Sequence, residues 1–388
     1  MYAESHLDLK PSGGLPAREL RPPFAIDLLL VVATLVLVAF GLLMVYSTTA
    51  VLAQEKFGDS FYYVKRQALS AVVGLAAMVL LLRVNLEWLR KHAAYAYGGA
   101  IFLLLLPFVP GLGVSAGGAN RWVEFSLFRF QPGEPAKLFF VLFMAGYFQR
   151  QEANLHSFWA GVFRPCILLI PVALLFLAEP DFGSAVVTAL VVLAMGAVAG
   201  VRLKYVLYAA LAFALAGTGL AIISPYRASR LVTFLAPWAD ASGKGYQLMQ
   251  SLIAVAIGKV AGVGLGGSQQ KLFFLPAAHT DFIFAVIAEE LGFIGAAALI
   301  ALFAVILWRG ILQARRLAED TFCFSLAVGL TLLIVLPAFL NLGVVMGLLP
   351  TKGMVLPFVG YGGSSLFSCL AAVGLLLALA RHFQKRIL

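Results

Sequence analysis

The sequence predicts an all-α, polytopic membrane protein of about ten transmembrane helices, with a large extracytoplasmic loop between helices 7 and 8. Three observations carry that expectation. The 388 residues are 62% hydrophobic and only 12% charged, with a mean hydropathy of +0.96, which is more apolar surface than a soluble core of this length can hide. The apolar residues fall in runs of spanning length and lack the period-2 alternation of a transmembrane β-strand. The Lys and Arg stand in small groups at the ends of those runs, so the formal charge of +10 reads as membrane topology and not as a nucleic-acid footprint.

In chain order, residues 1–25 form a polar cytoplasmic tail with Lys10, Arg18 and Arg21, and the run that follows is long enough to be an anchor, not a cleaved signal. The ten-helix transmembrane domain occupies 26–382, with apolar segments at 26–47, 67–83, 93–110, 135–149, 163–178, 183–200, 203–223, 281–308, 321–346 and 356–381; residues 383–388 form a second cytoplasmic tail. With both termini inside, 16 Lys and Arg lie on the cytoplasmic side against 12 outside, or against 7 when the long loop 224–280 is left out, as the positive-inside rule requires for long loops. That orientation sends the polar loops outward: 111–134, the turn Glu179-Pro180-Asp181, the loop 224–280, and the loop containing Pro350-Thr351-Lys352-Gly353. Within 224–280, Tyr246 to Val260 is apolar but too short to span, which predicts an interfacial or re-entrant helix, and Gly262, Gly264, Gly266 and Gly267 follow it where backbone freedom or close approach is needed. Cys166, Cys323 and Cys369 all sit in apolar runs, so neither a disulfide framework nor a Cys metal site is indicated. No pair of matching interrupted helices marks the inverted halves of a carrier.

Carboxylates entering the membrane are the chemical candidates, because an ionisable group in hydrocarbon is costly and usually functional. Asp281 follows His279 and Thr280 at a helix start, where two compatible readings meet: a first-turn acid behind a Thr280 N-cap, and a general base held at the lipid boundary. Glu289 and Glu290 lie roughly 12 to 14 Å deeper. Adjacent on a helix, they face different ways, with Glu289 about 80° and Glu290 about 180° from Asp281; Glu289 is the better partner for Asp281, and pairing of both with neighbouring helices is the plain alternative. Glu134 and Lys137, three apart at a helix start, can form an ion pair or face a cavity. Glu179 and Asp181 flank Pro180 in a turn that needs a proline but not two carboxylates. Arg227, Arg230, Lys244, Lys259, Lys271 and Lys352 run against the topology rule on the outer side and ask for an anionic partner, either phosphate oxygens or lipid headgroups. No Walker or dinucleotide glycine pattern is present, so no nucleotide is expected; His279 and Asp281 lack zinc-motif spacing, which leaves a divalent cation, Mg or Mn, on carboxylates.

Ordered motifs then point to a family. Gln131-Pro132-x-Glu134, Pro180-Asp181-Phe182-Gly183, Tyr226-Arg227-x-x-Arg230, Gly245-Tyr246-Gln247-Leu248, Gly264-Leu265-Gly266 with Ser268-x-Gln270-Lys271-Leu272, Ala278-His279-Thr280-Asp281-Phe282, Glu289-Glu290-Leu291-Gly292 and Tyr361-Gly362-Gly363-Ser364-Ser365 resemble the SEDS family of bacterial cell-wall proteins. Leu349-Pro350-Thr351-Lys352-Gly353 resembles its division members more than its elongation members. Gly360 stands where Ser usually precedes the Tyr-Gly-Gly-Ser-Ser run, and Gly133 and Pro135 replace a common Ser and Leu.

The resemblance implies a ten-span peptidoglycan glycosyltransferase of the bacterial inner membrane. It would polymerise lipid II onto a lipid-linked glycan at the outer face, at the division septum, beside a class B penicillin-binding protein and other division proteins. It also implies that Asp281 is the essential aspartate. Arg227, Arg230, Lys271 and Lys352 would then face the pyrophosphate, with Glu134, Lys137 and Asp181 shaping the cavity, His279 on its rim, and Glu179 and Glu289 behind it. Two other classes compete, a transporter that flips lipid II and a non-catalytic scaffold for the crosslinking enzyme.

Overall fold

The computed structural model describes residues 27–116, 119–125, 128–223, 229–230, 233–240, 243, 245–351 and 353–387. The expected tail 1–25 lies outside them, as do Arg227, Lys244 and Lys352.

Every apolar segment read from the sequence holds a helix. These are α1 (Leu28–Phe57), α2 (Tyr62–Leu82), α4 (Tyr95–Leu105), α5 (Gly133–Arg150), α6 (Arg164–Ala178), α7 (Phe182–Ala199), α8 (Leu203–Ile223), α10 (Ile283–Arg316), α11 (Thr321–Val345) and α12 (Gly363–Ile387). Two further helices are α3 (Leu86–His92), capped by the Asn85 side chain, and α9 (Tyr246–Gly258), the short apolar helix expected inside the long loop. Among the described residues, seven helices are long and apolar enough to cross a membrane, counting the π-turn Trp159–Phe163 together with α6, while Tyr95–Phe108 and Leu203–Gly219 are apolar but shorter. Large apolar side chains such as Leu80, Phe102, Leu174 and Leu215 stay exposed on the outside of the bundle, as lipid-facing surface does. Helix α12 continues to Ile387, through most of the stretch expected to be a tail.

Two features depart from a plain helical reading. The loop 111–134 contains an antiparallel sheet of β1 (Gly113–Ala116), β2 (Ala119–Phe125) and β3 (Phe128–Phe130), in the order β1-β2-β3, with Val123 opposite Gly113 on one side and Phe130 on the other. Strands of 4, 7 and 3 residues are too short for a periodicity to stand out over a longer window. The second departure is a break in α10 at Gly292, whose φ of 64° and ψ of −162° belong to a region only glycine occupies readily. The freed groups are re-satisfied by the segment after α9: Val263 and Gly264 N–H donate to the Glu289 and Glu290 carbonyls at 3.0 and 2.9 Å, and Phe293 and Ile294 N–H donate to the Lys259 and Val260 carbonyls at 2.9 and 3.1 Å. A broken helix at membrane depth survives only when protein supplies those partners, and here the long loop supplies them.

At one end of the bundle, Arg309 and Gln313 of α10 bind the Asp27 carboxylate at the start of α1, and Arg90 pairs with Asp320 at the start of α11. The polar groups considered below gather at the other end.

Candidate active site

Asp281 sits in the turns before α10, not in its first turn. The helix starts at Ile283 without a side-chain cap, and the Thr280 hydroxyl donates to the Ala277 carbonyl at 3.3 Å, so Thr280 is not the N-cap that the sequence suggested. Asp281 is instead held by its backbone: the Asn341 side-chain amide in α11 donates to the Asp281 carbonyl at 2.7 Å and to the Met354 carbonyl at 2.6 Å. Asn341 was hidden in an apolar run and carries no motif, so nothing in the sequence pointed to it. Among the described residues the Asp281 carboxylate has no hydrogen-bond partner. The loop after α11 lies against it, since a Cβ added at Gly353 would come within 2.9 Å of Asp281 Oδ2.

Burial pushes the Asp281 carboxyl up to about 6, with the Arg121 and Arg230 charges acting against that rise and Asp181 adding to it. Among the described residues, those three charges act on it. Arg230 donates to the Thr351 carbonyl at 3.2 Å, on the loop that covers Asp281. Asp181 caps α7, accepting from Ser184 N–H at 3.0 Å and Ser184 Oγ at 2.8 Å. Arg121, from β2, holds the preceding turn by donating from Nε to the Glu179 carbonyl at 3.0 Å and from Nη2 to the Pro180 carbonyl. Glu179 is fully buried; neither carboxylate oxygen finds a partner among the described residues, and burial first, then Asp181, pushes its carboxyl up to about 8.

The other expected site residues separate into two groups. Glu134 and Lys137 form a 2.7 Å ion pair in α5, next to a small cavity lined by Leu333, Ile334, Ser368 and Cys369. His279 packs against the Tyr63 and Tyr361 rings, at centroid distances of 5.5 and 6.0 Å, and its carbonyl accepts from Tyr361 N–H at 2.9 Å; burial, and after it Lys56, push its imidazole down. The backbone approach there is close: a Cβ at Gly360 would lie 2.6 Å from Val355 Cγ1 and 2.9 Å from the Thr280 carbonyl, so a serine in its place requires a local shift.

Lys271 and Glu289 belong elsewhere. Lys271 is buried and donates to Glu290 at 2.7 Å and to Ser47 of α1 at 3.1 Å, while Glu289 accepts from Ser268 Oγ and, at 3.0 Å, from Gln269 N–H. The expectation of Lys271 on an anion-facing rim and of Glu289 behind Asp281 is thus replaced by a clamp that fixes the loop onto the broken helix. The cause is the π-turn Gln270–Phe274, which carries Lys271 back over α10. Among the described residues no three His, Cys, Asp or Glu side chains converge.

Known proteins resemble this arrangement over most of the chain. The family model described as "Cell cycle protein" matches residues 27–385. A "Probable peptidoglycan glycosyltransferase FtsW" from Thioalkalivibrio sulfidiphilus is 47% identical over 92% of this chain and 90% of its own. "Stage V sporulation protein E" from Bacillus subtilis is 41% identical over 92% and 97%. Among solved structures, a chain from work described as "Structural coordination of polymerization and crosslinking by a peptidoglycan synthase complex" matches with a TM-score of 0.77 at 29% identity, covering 92% of this chain and 98% of that one. The rod shape determining protein RodA of Thermus thermophilus matches with a TM-score of 0.66 at 27% identity, covering 92% and 97%.

Proposed function

The chain belongs to the FtsW/RodA/SpoVE family of cell cycle proteins, and we infer that it is a peptidoglycan glycosyltransferase whose general base is Asp281. The observation that carries the assignment of the base is the Asp281 carboxylate itself: backbone fixed by Asn341, side chain without a hydrogen-bond partner among the described residues, and a carboxyl pushed up to about 6 by burial. A base of that strength is mostly ionised at neutral pH yet takes a proton more readily than an exposed aspartate.

The 4-hydroxyl of an acceptor lipid II gives its proton to Asp281 while its oxygen attacks the anomeric carbon of the lipid-linked glycan. A new glycosidic C–O bond forms, the bond from that carbon to the pyrophosphate oxygen breaks, and the electron pair leaves with the lipid pyrophosphate. General-base assistance contributes about 10²- to 10⁴-fold, and positive charge placed where the pyrophosphate charge develops contributes comparably. Arg230 is one source, fixed by the Thr351 carbonyl beside the proposed base. The Glu134–Lys137 pair and Asp181 shape the cavity wall.

The protein acts in the bacterial inner membrane with both termini cytoplasmic, at the division septum, and a class B penicillin-binding protein crosslinks the strands it makes. The description of the matching family as "Cell cycle protein" supports the setting, and the resemblance to a chain of a synthase complex supports the partner.

The test is polymerisation of lipid II by the purified protein with its partner in detergent. Glycan strands from the unsubstituted chain and none above background from Asp281→Ala are expected. Undiminished polymer from Asp281→Ala overturns the base assignment; lipid II crossing a vesicle bilayer without polymer identifies a transporter instead.

A further inference from the structure

Lys271 is clamped to Glu290 and so withdrawn from the anion-facing rim, which leaves Arg230 as the long loop's described cation beside Asp281; Arg121 is the other arginine that acts on it. We propose that Arg121 is a binding residue for the lipid-linked pyrophosphate, its guanidinium held against the Glu179-Pro180-Asp181 turn by two backbone carbonyls and its remaining N–H groups without a hydrogen-bond partner among the described residues, available to phosphate oxygens. The proposal rests on the glycosyltransferase reading above and adds a residue to it.

Strand alternation sets the direction. In β2, Arg121 shares its face with Val123, which is fully buried, whereas Glu124 on the opposite face is exposed and pairs with Arg129 at 3.1 Å. Arg121 therefore reaches from the sheet toward the bundle, and it remains partly accessible.

Its anchoring is unusual for an arginine among so many carboxylates. Nε and Nη2 donate to the Glu179 and Pro180 carbonyls, yet among the described residues Arg121 pairs with no carboxylate. The Glu179 carboxyl keeps both oxygens bare in the interior, and both Asp181 oxygens are turned to Ser184. Neutral carbonyls fix a guanidinium in place without cancelling its charge. Of the five N–H donors in the fork, about three then remain for a ligand, in the planar arrangement that suits phosphate oxygens. A structural arginine stapling the sheet to the turn would be expected to take one of the carboxylates beside it. The charge reaches the reaction centre, because it acts on the Asp281 carboxyl ahead of Arg230.

The test uses the full chain carrying Asp281→Asn, so that no turnover occurs, in lipid nanodiscs, with undecaprenyl diphosphate and undecaprenol as probes. Adding Arg121→Gln is expected to weaken binding of the diphosphate at least tenfold and leave the alcohol unchanged, and Arg121→Lys to fall between. Unchanged binding of the diphosphate to the Gln variant overturns the proposal, as does an equal loss of both probes, which would make Arg121 a staple of the turn. Should the Gln variant not assemble, the Lys variant decides by the same criterion: loss confined to the diphosphate supports the site, and loss of neither or of both removes it. Failure of the glycosyltransferase reading shows separately, as absence of polymer from the unsubstituted chain with its partner.

Discussion

Polymerisation by this protein should fall on the acid side at a pH that the burial of Asp281 sets. With the carboxyl near 6, the ionised fraction is about nine-tenths at pH 7, about half at pH 6 and about one-tenth at pH 5, and the rate should follow it. An exposed aspartate near 3.8 would keep the rate flat to about pH 5. The sign of each neighbour follows from its charge. Arg121 and Arg230 favour the ionised form, so Arg121→Gln or Arg230→Gln moves the acid limb to higher pH; Asp181 opposes it, so Asp181→Asn moves the limb lower. The assay is the initial rate of glycan formation from lipid II well below its KM between pH 5 and 8, with the partner present and protein integrity checked at each pH. Low substrate matters because the rate then follows kcat/KM, whose limb belongs to the free enzyme in which Asp281 is buried. A rate at pH 5 equal to that at pH 7 would refute the assignment, and so would an acid limb that ignores all three substitutions.

Three further outcomes follow from the same geometry. Gly353→Ala puts a Cβ within 2.9 Å of Asp281 Oδ2; displacing a reacting group by about an ångström costs on the order of 10²-fold, so kcat should fall while the melting temperature stays near the parent's. Gly292→Ala places a Cβ 2.4 Å from Gly262 N and 2.5 Å from the Val260 carbonyl, in a conformation that costs a non-glycine residue about 1–3 kcal/mol before any lost hydrogen bond; a clear drop in melting temperature and in folded yield should result. Glu179 has a folded-state carboxyl raised from 4.5 to about 8. The native state therefore holds its proton longer than the unfolded chain, and stability is lost as pH rises through that window, by an amount on the order of a few kcal/mol. Glu179→Gln, which mimics the neutral acid, should melt like the parent near pH 4.5 and progressively higher than it toward pH 8; equal melting curves at pH 8 would show that Glu179 is not held neutral.

How much of this was legible in the sequence depends on the distance over which each feature is determined. Spans are local: a run of about twenty apolar residues is a helix in lipid whatever surrounds it, and each of the predicted runs holds one. The short helix at Tyr246–Gly258 was local too, being apolar and of less than spanning length. Asp281 stood out because a carboxylate at the edge of such a run is conspicuous. Its cap was misjudged because the turns from Leu275 to Phe282 are held by contacts with the loop after α11, far along the chain. Lys271 and Glu290 lie 19 residues apart and meet Ser47 across more than 200, a juxtaposition that no periodicity encodes. Arg121 carries no signal of its own in the sequence, since its role depends on which turn β2 touches.

The break at Gly292 ties these two scales together. Gly262, Gly264, Gly266 and Gly267 are visible in the sequence as sites of backbone freedom, and Gly292 only as the end of the Glu289-Glu290-Leu291-Gly292 motif. In the fold they are one construction: Gly262 and Gly292 approach so closely that a Cβ on either would meet the other's backbone, and the carbonyls of Glu289 and Glu290 are satisfied from the loop. Their carboxylates accept from Ser268, Gln269, Lys271 and Ser47, so side chain and backbone bind the same loop to the same turn of helix. That loop leads directly into Asp281. Glu289, which the sequence offers as a partner of the base, joins Glu290 in fixing the segment that carries it, which accounts for buried carboxylates roughly two turns below Asp281 without giving them a step in the reaction.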